Sequence, residues 1–386
     1  MEDLILIYLD NSATTKVCKE AQEKALYYMN DAFFNPAALY KGAVDVEQDI
    51  EKARLDIAAS MGAKQNELFF TSGGTESNNI AIFGMLDSLR KGSWRFITTK
   101  IEHPSVYNLF VTLENLGHEV IYLDCDERGQ IDYQQLEYYV DQNTVLVSIM
   151  HVNNEFGAVA DLKRINEIVK ANNPYAVFHS DGVQAYAKLE FEKLPVDMYS
   201  ISGHKFYAPK GVGALMMKRQ VLNSGGQKGG GQEQGIRSGT LNTPGIIAMH
   251  EAMNTIKANQ KSNIENMRAC KLTLAENLLN ISGTKINGPS PQNGAPHILS
   301  VSFEGIRSEV LLHILEEKGI YVGIGSACSS KKQGKNRVLD AIGLNSDEMI
   351  STLRFSLCPQ NTLEEMEIVS QAIKENITEL RKFSRR

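Results

Sequence analysis

Cysteine is scarce in this chain. Five are present in 386 residues, at Cys18, Cys125, Cys270, Cys328 and Cys358. They lie far apart, with no Cys-x-x-Cys pair and no Cys/His cluster at zinc spacing, which argues against a structural metal site and against a disulfide framework. An odd count without pairing logic fits a reducing compartment, so the expected location is cytoplasmic. Long apolar runs are missing as well. The apolar opening, Leu4-Ile-Leu-Ile-Tyr-Leu9, is far too short to cross a bilayer, and acidic residues precede it, so no membrane association is expected and the segment reads as a strand. Nor is there a basic excess. Lys and Arg total 40 against 46 Asp and Glu, for a net charge of -6, and no basic stripe suggests direct nucleic-acid binding. Internal repeats and low-complexity tracts are absent.

What is present is a large apolar fraction, 42% of residues, enough for a substantial core. The length suits two or three domains, or one large α/β domain with a smaller appendage. Strands and helices alternate from Glu67 to Ser202. Glu67-Leu-Phe-Phe-Thr71 is a strand, and Ser72-Gly-Gly-Thr-Glu-Ser77 opens a helix. Arg95-Phe-Ile-Thr-Thr99 ends at Glu102-His103-Pro104. Thr144-Val-Leu-Val-Ser-Ile-Met150 ends in His151-Val-Asn-Asn-Glu155. Ala176-Val-Phe-His-Ser180 ends in Asp181, with Gln184 three residues later. This alternation predicts a mostly parallel sheet covered on both faces. A single long helix is expected from about Thr243 to Asn277. A smaller α+β unit follows, with strands at Ile298–Phe303, Ile320–Val322 and Thr352–Ser356, and a final helix repeating Met366, Val369, Ile373, Ile377 and Leu380 on one face. The resulting fold class is α/β, a large domain over residues 15–257 and a small α+β domain formed by residues 1–14 and 258–386.

The organising stretch is Asp197-Met-Tyr-Ser-Ile-Ser-Gly-His-Lys205, a strand that delivers one amine among small polar residues. A partly desolvated lysine can lose its proton and form a Schiff base with a carbonyl cofactor, although Ser-Gly-His-Lys alone also reads as an ordinary loop. Gly73, Gly74 and Thr75 form an anion site at a helix start, or merely a tight turn with a capping threonine. His103 alone reads equally as a surface histidine. Thr75, His103, Asn154, Asp181 and Lys205 nonetheless all fall at or just after strand ends, where such sheets hold ligands. A Schiff-base lysine, a phosphate cradle and an acidic partner for a pyridine nitrogen are what pyridoxal 5'-phosphate requires. Asp181 would keep that nitrogen protonated, His103 would stack on the ring and carry protons, and Gln184 would hydrogen-bond the ring oxygen. Arg354 is either a fork for the substrate carboxylate, with Asn154 and Asn35 assisting, or a structural ion-pair partner. Cys328, between glycines and serines on a loop, is the cysteine whose setting suggests use rather than burial.

The ordered strings Tyr8-Leu-Asp-Asn-Ser-Ala-Thr-Thr15, Asn35-Pro36, Thr71-Ser-Gly-Gly-Thr-Glu-Ser77, Glu102-His103, His151-Val-Asn-Asn-Glu155, Asp181 with Gln184, Ser202-Gly-His-Lys205, Arg237-Ser-Gly-Thr-Leu241, Gly325-Ser-Ala-Cys-Ser329 and Arg354-Phe-Ser356 together resemble the cysteine desulfurases. These belong to the class V aminotransferase superfamily of fold type I. The resemblance covers nearly the whole chain. It implies that Lys205 carries pyridoxal 5'-phosphate, that Gly74, Thr75, Ser202 and His204 hold its phosphate, and that Thr240 reaches the phosphate of the other subunit in a homodimer. It further implies conversion of L-cysteine to L-alanine, with Lys205 removing the Cα proton and Cys328 taking the sulfur as a persulfide for an acceptor protein. The acceptor, an iron–sulfur scaffold or a thiolation enzyme, is left open, because the chain stops at Arg386 without the longer tail some members use for docking and carries Lys331 and Lys332 after Cys328. The neighbouring activities are those of a selenocysteine lyase or a class V aminotransferase, which need Lys205 but not Cys328. A catalytically silent binding protein that keeps the fold would lack the bound cofactor.

Overall fold

The computed structural model describes residues 6–90, 92–190, 193–325 and 336–384. Cys328 lies outside them. Among the described residues, twelve strands form two sheets. The first contains β2 (Leu68–Thr71), β3 (Arg95–Thr99), β4 (Glu119–Leu123), β5 (Thr144–Ser148), β6 (Val177–Asp181), β7 (Met198–Ser202) and β8 (Gly213–Met217), in the spatial order β2-β8-β7-β6-β5-β3-β4. The pairs β3/β4, β3/β5, β5/β6 and β6/β7 are parallel, and only β8 runs against its neighbours. The mostly parallel sheet expected from the alternation is therefore present.

Successive side chains leave a strand on opposite faces, and here both faces are covered. Ile97, Val147 and Tyr199 point into a cluster with Ile50, Ala53 and Ile57 of the helix Lys41–Ala59. Their neighbours Phe96, Leu146 and Met198 join Ile80 and Ala81 of the helix Gly74–Leu86 and Val106 and Phe110 of the helix Pro104–Asn115. This is why the strands read as continuous apolar runs rather than as alternation.

The second sheet contains β1 (Ile7–Leu9), β9 (Thr284–Asn287), β10 (Ile298–Phe303), β11 (Ile320–Ile324) and β12 (Thr352–Ser356), in the order β1-β11-β12-β10-β9. Apart from the parallel pair β1/β11 it is antiparallel. Leu299, Val301, Leu353 and Phe355 pack with the final helix Leu363–Ser384, whose Met366, Val369, Ile373 and Ile377 are at most 1% exposed. Burying each such side chain contributes roughly 1.5–3 kcal/mol relative to leaving it in water. The opening segment of the chain thus belongs to the sheet built from its last third.

One expectation is corrected and one strand is added. The single helix over Thr243–Asn277 is two, Thr243–Ala258 and Gln260–Leu279, broken at Asn259, whose φ of -126° and ψ of 22° leave the helical region. The break falls in the polar run Asn259-Gln-Lys-Ser-Asn263, and the first helix packs on the core of the large sheet and the second on that of the small one. One strand has no counterpart in the sequence reading. Residues Gly213–Met217 form β8, whose backbone lies so close to the Gly73 turn that a Cβ on Gly213 would stand 2.6 Å from Gly73 Cα. No helix among the described residues is long and apolar enough to cross a membrane.

Candidate active site

A pocket of about 530 Å³ opens at the carboxyl ends of β2, β6 and β7. At β2 the chain turns through Gly73, whose φ of 151° is one that only glycine adopts readily, into the helix Gly74–Leu86. The first N–H groups of that helix lack intrahelical partners and carry the positive end of its dipole, which suits a phosphate. A Cβ on Gly74 would lie 2.6 Å from Val183 Cγ2, so only glycine fits there. Thr75, exposed at the helix start, lines the same pocket, as does Ser202 at the end of β7.

Asp181, the last residue of β6, is 5% exposed. Its Oδ1 accepts from the Val183 N–H at 3.0 Å and its Oδ2 from Asn78 Nδ2 at 2.9 Å. Asn78 Nδ2 also donates to Ser105 Oγ at 2.9 Å, and that hydroxyl lies 2.8 Å from His103 Nδ1. Because His103 Nδ1 accepts from the Ser105 amide as the cap of the helix Pro104–Asn115, the neutral ring carries its proton on Nε2. Burial favours that neutral ring, which Asp181 opposes and the Lys205 and Arg337 cations reinforce. Asn78 and Ser105 escaped the sequence reading. Residue type does not single Asn78 out, because Thr75, Glu76, Ser77 and Asn79 beside it are polar as well.

Lys205 closes a short 3-10 turn, Gly203–Lys205, directly after β7. Its Nζ donates to the backbone carbonyls of Ser12 at 2.6 Å and Ala13 at 2.9 Å. Burial first, and then the Arg354 cation, pull the amine down to about 8, against the opposing pull of Asp10 and Asp181. The Ser12 turn is itself fixed, with its N–H donating to Ser356 Oγ at 2.8 Å and Thr15 donating to the His204 carbonyl. Gln184 Nε2 donates to the Ser12 carbonyl at 2.9 Å. His204 Nδ1 lies 3.1 Å from Thr14 Oγ1, and burial followed by the Lys205 charge depresses the ring to about 4.

Arg354, in the middle of β12, reaches the pocket from the second sheet. Its Nη2 pairs with Asp10 Oδ1 at 2.7 Å and its Nη1 donates to the Asn154 carbonyl at 3.0 Å, while Nε is buried without a partner. The pocket therefore gathers Gly74, Thr75, His103, Asn154, Asp181, Gln184, Ser202, His204, Lys205 and Arg354. Asn35 and Thr240 stand apart, on a second cleft of about 510 Å³. Asn35 Oδ1 accepts from the Ala37 N–H at 3.0 Å. The segment leading to Thr240 is tied down by a buried ion pair, Arg54 Nη1 and Nη2 each 2.7 Å from Glu233, and by Arg237 on Glu76 at 3.1 Å.

The chain matches the family described as Aminotransferase class-V over residues 7–369. It belongs to that family. The cysteine desulfurase IscS of Methanosarcina thermophila is 39% identical over 98% of this chain and 93% of its own length. A solved NifS-like protein superposes with a TM-score of 0.91 at 35% identity, covering 97% of this chain and all of that one. A solved SspA in complex with cysteine superposes at a TM-score of 0.81 and 33% identity, over 92% of this chain and all of that one. Class-V enzymes of this fold depend on pyridoxal phosphate, and the residues here fit it. The glycine cradle a Cβ would fill, the buried Asp181 carboxylate and the pocket amine of Lys205 are the three parts the cofactor needs.

Proposed function

We infer that this class-V enzyme is a cysteine desulfurase that converts L-cysteine to L-alanine, with the chemistry divided between Lys205 and Cys328. The observation that carries the reading is the convergence of the Lys205 amine, the Asp181 carboxylate and the open helix start at Gly74 on one pocket. Bound pyridoxal phosphate supplies an electron sink for the substrate Cα. Gly74, Thr75, Ser202 and His204 hold its phosphate, and Asp181, fixed by Asn78 and the Val183 amide, holds a proton on the ring nitrogen. Gln184 presents its amide to the ring oxygen. Lys205, an amine depressed to about 8, takes the Cα proton at near-neutral pH. Arg354 binds the substrate carboxylate, with Asn154 beside it in the pocket assisting, and His103 carries a proton on Nε2.

The Cys328 thiolate attacks the substrate sulfur. An S–S bond forms, the carbon–sulfur bond breaks, and its electron pair stays on the carbon fragment, which takes up a proton and leaves as alanine. The four described cysteines support this choice, because burial raises the pKa of Cys18, Cys125, Cys270 and Cys358 and so disfavours their thiolates. The persulfide then passes to an acceptor protein, an iron–sulfur scaffold or a thiolation enzyme. A homodimer, in which Thr240 of one subunit completes the phosphate site of the other, is supported by the apolar exposure around the Asn35 cleft, with Leu39 96% and Phe33 66% exposed. The helix break at Asn259 supports a large domain over 15–257 and a small one over 1–14 and 258–386. The unpaired cysteines favour a cytoplasmic location.

The test is to mix the purified protein with L-cysteine and follow free alanine together with sulfur added to the peptide containing Cys328, by mass spectrometry. Both products are expected, and both vanish in Lys205→Ala. Alanine without sulfur on Cys328 would reassign the nucleophile, and neither product from cofactor-loaded protein would overturn the reading.

A further inference from the structure

Beside the pocket lies a second buried amine that the mechanism above does not use. Lys188 is 2% exposed, at the end of the turn that follows β6. An amine so deeply buried is costly unless it is hydrogen-bonded to some purpose. The charges it feels are Lys205 and Arg354, both repelling, with the Cys358 thiol acting in the opposite sense. Burial, followed by those two cations, lowers it to about 7. Its Nζ donates to Gln184 Oε1 at 3.1 Å.

That bond and a second one, on the other side of Gln184, together fix the orientation of an amide. The Ser12 carbonyl can only accept, so the Gln184 nitrogen must face it, as it does at 2.9 Å. The Gln184 oxygen is thereby turned to the other side, where it meets Lys188, which donates whether or not it is charged. Rotating the amide would set its oxygen against the Ser12 carbonyl, two acceptors face to face, and leave its NH₂ against the Lys188 amine. The same Ser12 carbonyl also receives Lys205 Nζ at 2.6 Å. A continuous chain therefore runs from Lys188 through Gln184 and Ser12 to Lys205.

We propose that Lys188 is a positioning residue that, by donating to Gln184 Oε1, fixes the Gln184 amide with its NH₂ presented to the cofactor and to the carbonyl shared with Lys205. The proposal rests on the reading that Gln184 hydrogen-bonds the cofactor ring oxygen. It explains why an amine, rather than an apolar side chain of similar length, occupies a site with no solvent.

The experiment uses the full-length enzyme loaded with pyridoxal phosphate and compares Lys188→Met, Gln184→Ala and the double variant. The readouts are the absorbance spectrum of the bound cofactor and the Kd for pyridoxal phosphate. Losing one buried hydrogen bond corresponds to a Kd increase of about tenfold. Lys188→Met is expected to show that increase and to shift the spectrum in the same direction as Gln184→Ala. The double variant is expected to match Gln184→Ala alone, since residues acting through one another are not additive. Lys188→Gln, which keeps a donor without a charge, should restore most of the wild-type spectrum, and it carries the test if Lys188→Met does not fold. A wild-type spectrum and Kd in Lys188→Met, additive effects in the double variant, or a Lys188→Gln spectrum like that of Gln184→Ala would overturn the proposal. If Gln184→Ala itself leaves spectrum and Kd unchanged, the placement of Gln184 against the ring has failed, and the proposal with it.

Discussion

The two sheets supply the pocket in different ways. The seven-stranded sheet contributes residues at strand ends, with Gly74 and Thr75 after β2, His103 after β3, Asn154 after β5, Asp181 closing β6 and Ser202 and Lys205 around the end of β7. Parallel strands end together at one edge, where backbone groups are unpaired and polar residues find partners cheaply. The five-stranded sheet instead contributes Arg354 from the middle of a strand, between the buried Leu353 and Phe355. A guanidinium in that position needs a counter-charge, and Asp10 together with the Asn154 carbonyl provides one. Edge residues can therefore change one at a time, whereas Arg354 is tied to both the first turn of the chain and the far sheet.

This contrast can be broken or sharpened at three points. The largest effect is expected at the edge itself. In Gly74→Ala the new Cβ meets Val183 Cγ2, and an overpacking cost of about 1–3 kcal/mol corresponds to a loss of roughly 5- to 150-fold in pyridoxal phosphate affinity. Adding Val183→Ala should recover much of that loss in equilibrium dialysis. No recovery would mean that the glycine serves something other than this contact. Next comes Arg354→Lys, which keeps the charge beside Asp10 but loses the fork. The expected result is a KM for L-cysteine raised about tenfold at near-wild-type cofactor affinity, by steady-state kinetics and dialysis. Parallel loss of cofactor would show that the two sheets are not separable.

The smallest effect concerns Glu102, just past β3. Burial, reinforced by Asp181, raises its carboxyl to about 8, against hydrogen bonds to Oε1 from the Met150 amide and the Thr99 hydroxyl. The folded protein thus binds this proton more tightly than the unfolded chain does. The resulting stability is complete below the ordinary glutamate range and is lost as pH rises from there to about 8. Glu102→Gln keeps an acceptor oxygen and has no charge to bury. Its Tm by calorimetry should match wild type near pH 5 and exceed it by roughly 2–4 °C near pH 9. Equal melting at both values would place the ionised carboxylate comfortably in the fold.

The sequence made the edge legible because each functional residue there is announced by a change of pattern. An apolar run stops, small residues follow, and a helix begins, so Lys205, Asp181 and His103 could be found without coordinates. What supports them was harder to read. The carbonyls of Ser12 and Ala13 that receive Lys205 are backbone groups and leave no mark in residue type. Asn78 and Lys188 look like ordinary polar residues until the fold brings them to Asp181 and Gln184. The break at Asn259 left little mark because the polar run Asn259–Asn263 holds no glycine or proline to punctuate it, although the two helices pack on different cores. Strand β8 was masked by the glycines whose lack of a side chain lets it approach the Gly73 turn.

The placement of β1 carries a consequence for how this protein is made. Ile7 pairs with Ile320, and the Ser12 turn is pinned to Ser356. The ribosome must therefore add some three hundred residues before the first strand has a neighbour, which at about 5–20 residues per second takes roughly 15–60 s. During that interval the Lys205 amine emerges and its sheet can assemble, yet the carbonyls meant to receive it hang on an unpaired segment. A nascent chain halted before Ser356 would hold the strands of the larger sheet and still lack a finished lysine site. Completion of the turn that receives Lys205 is in this way deferred to the last part of translation by topology alone.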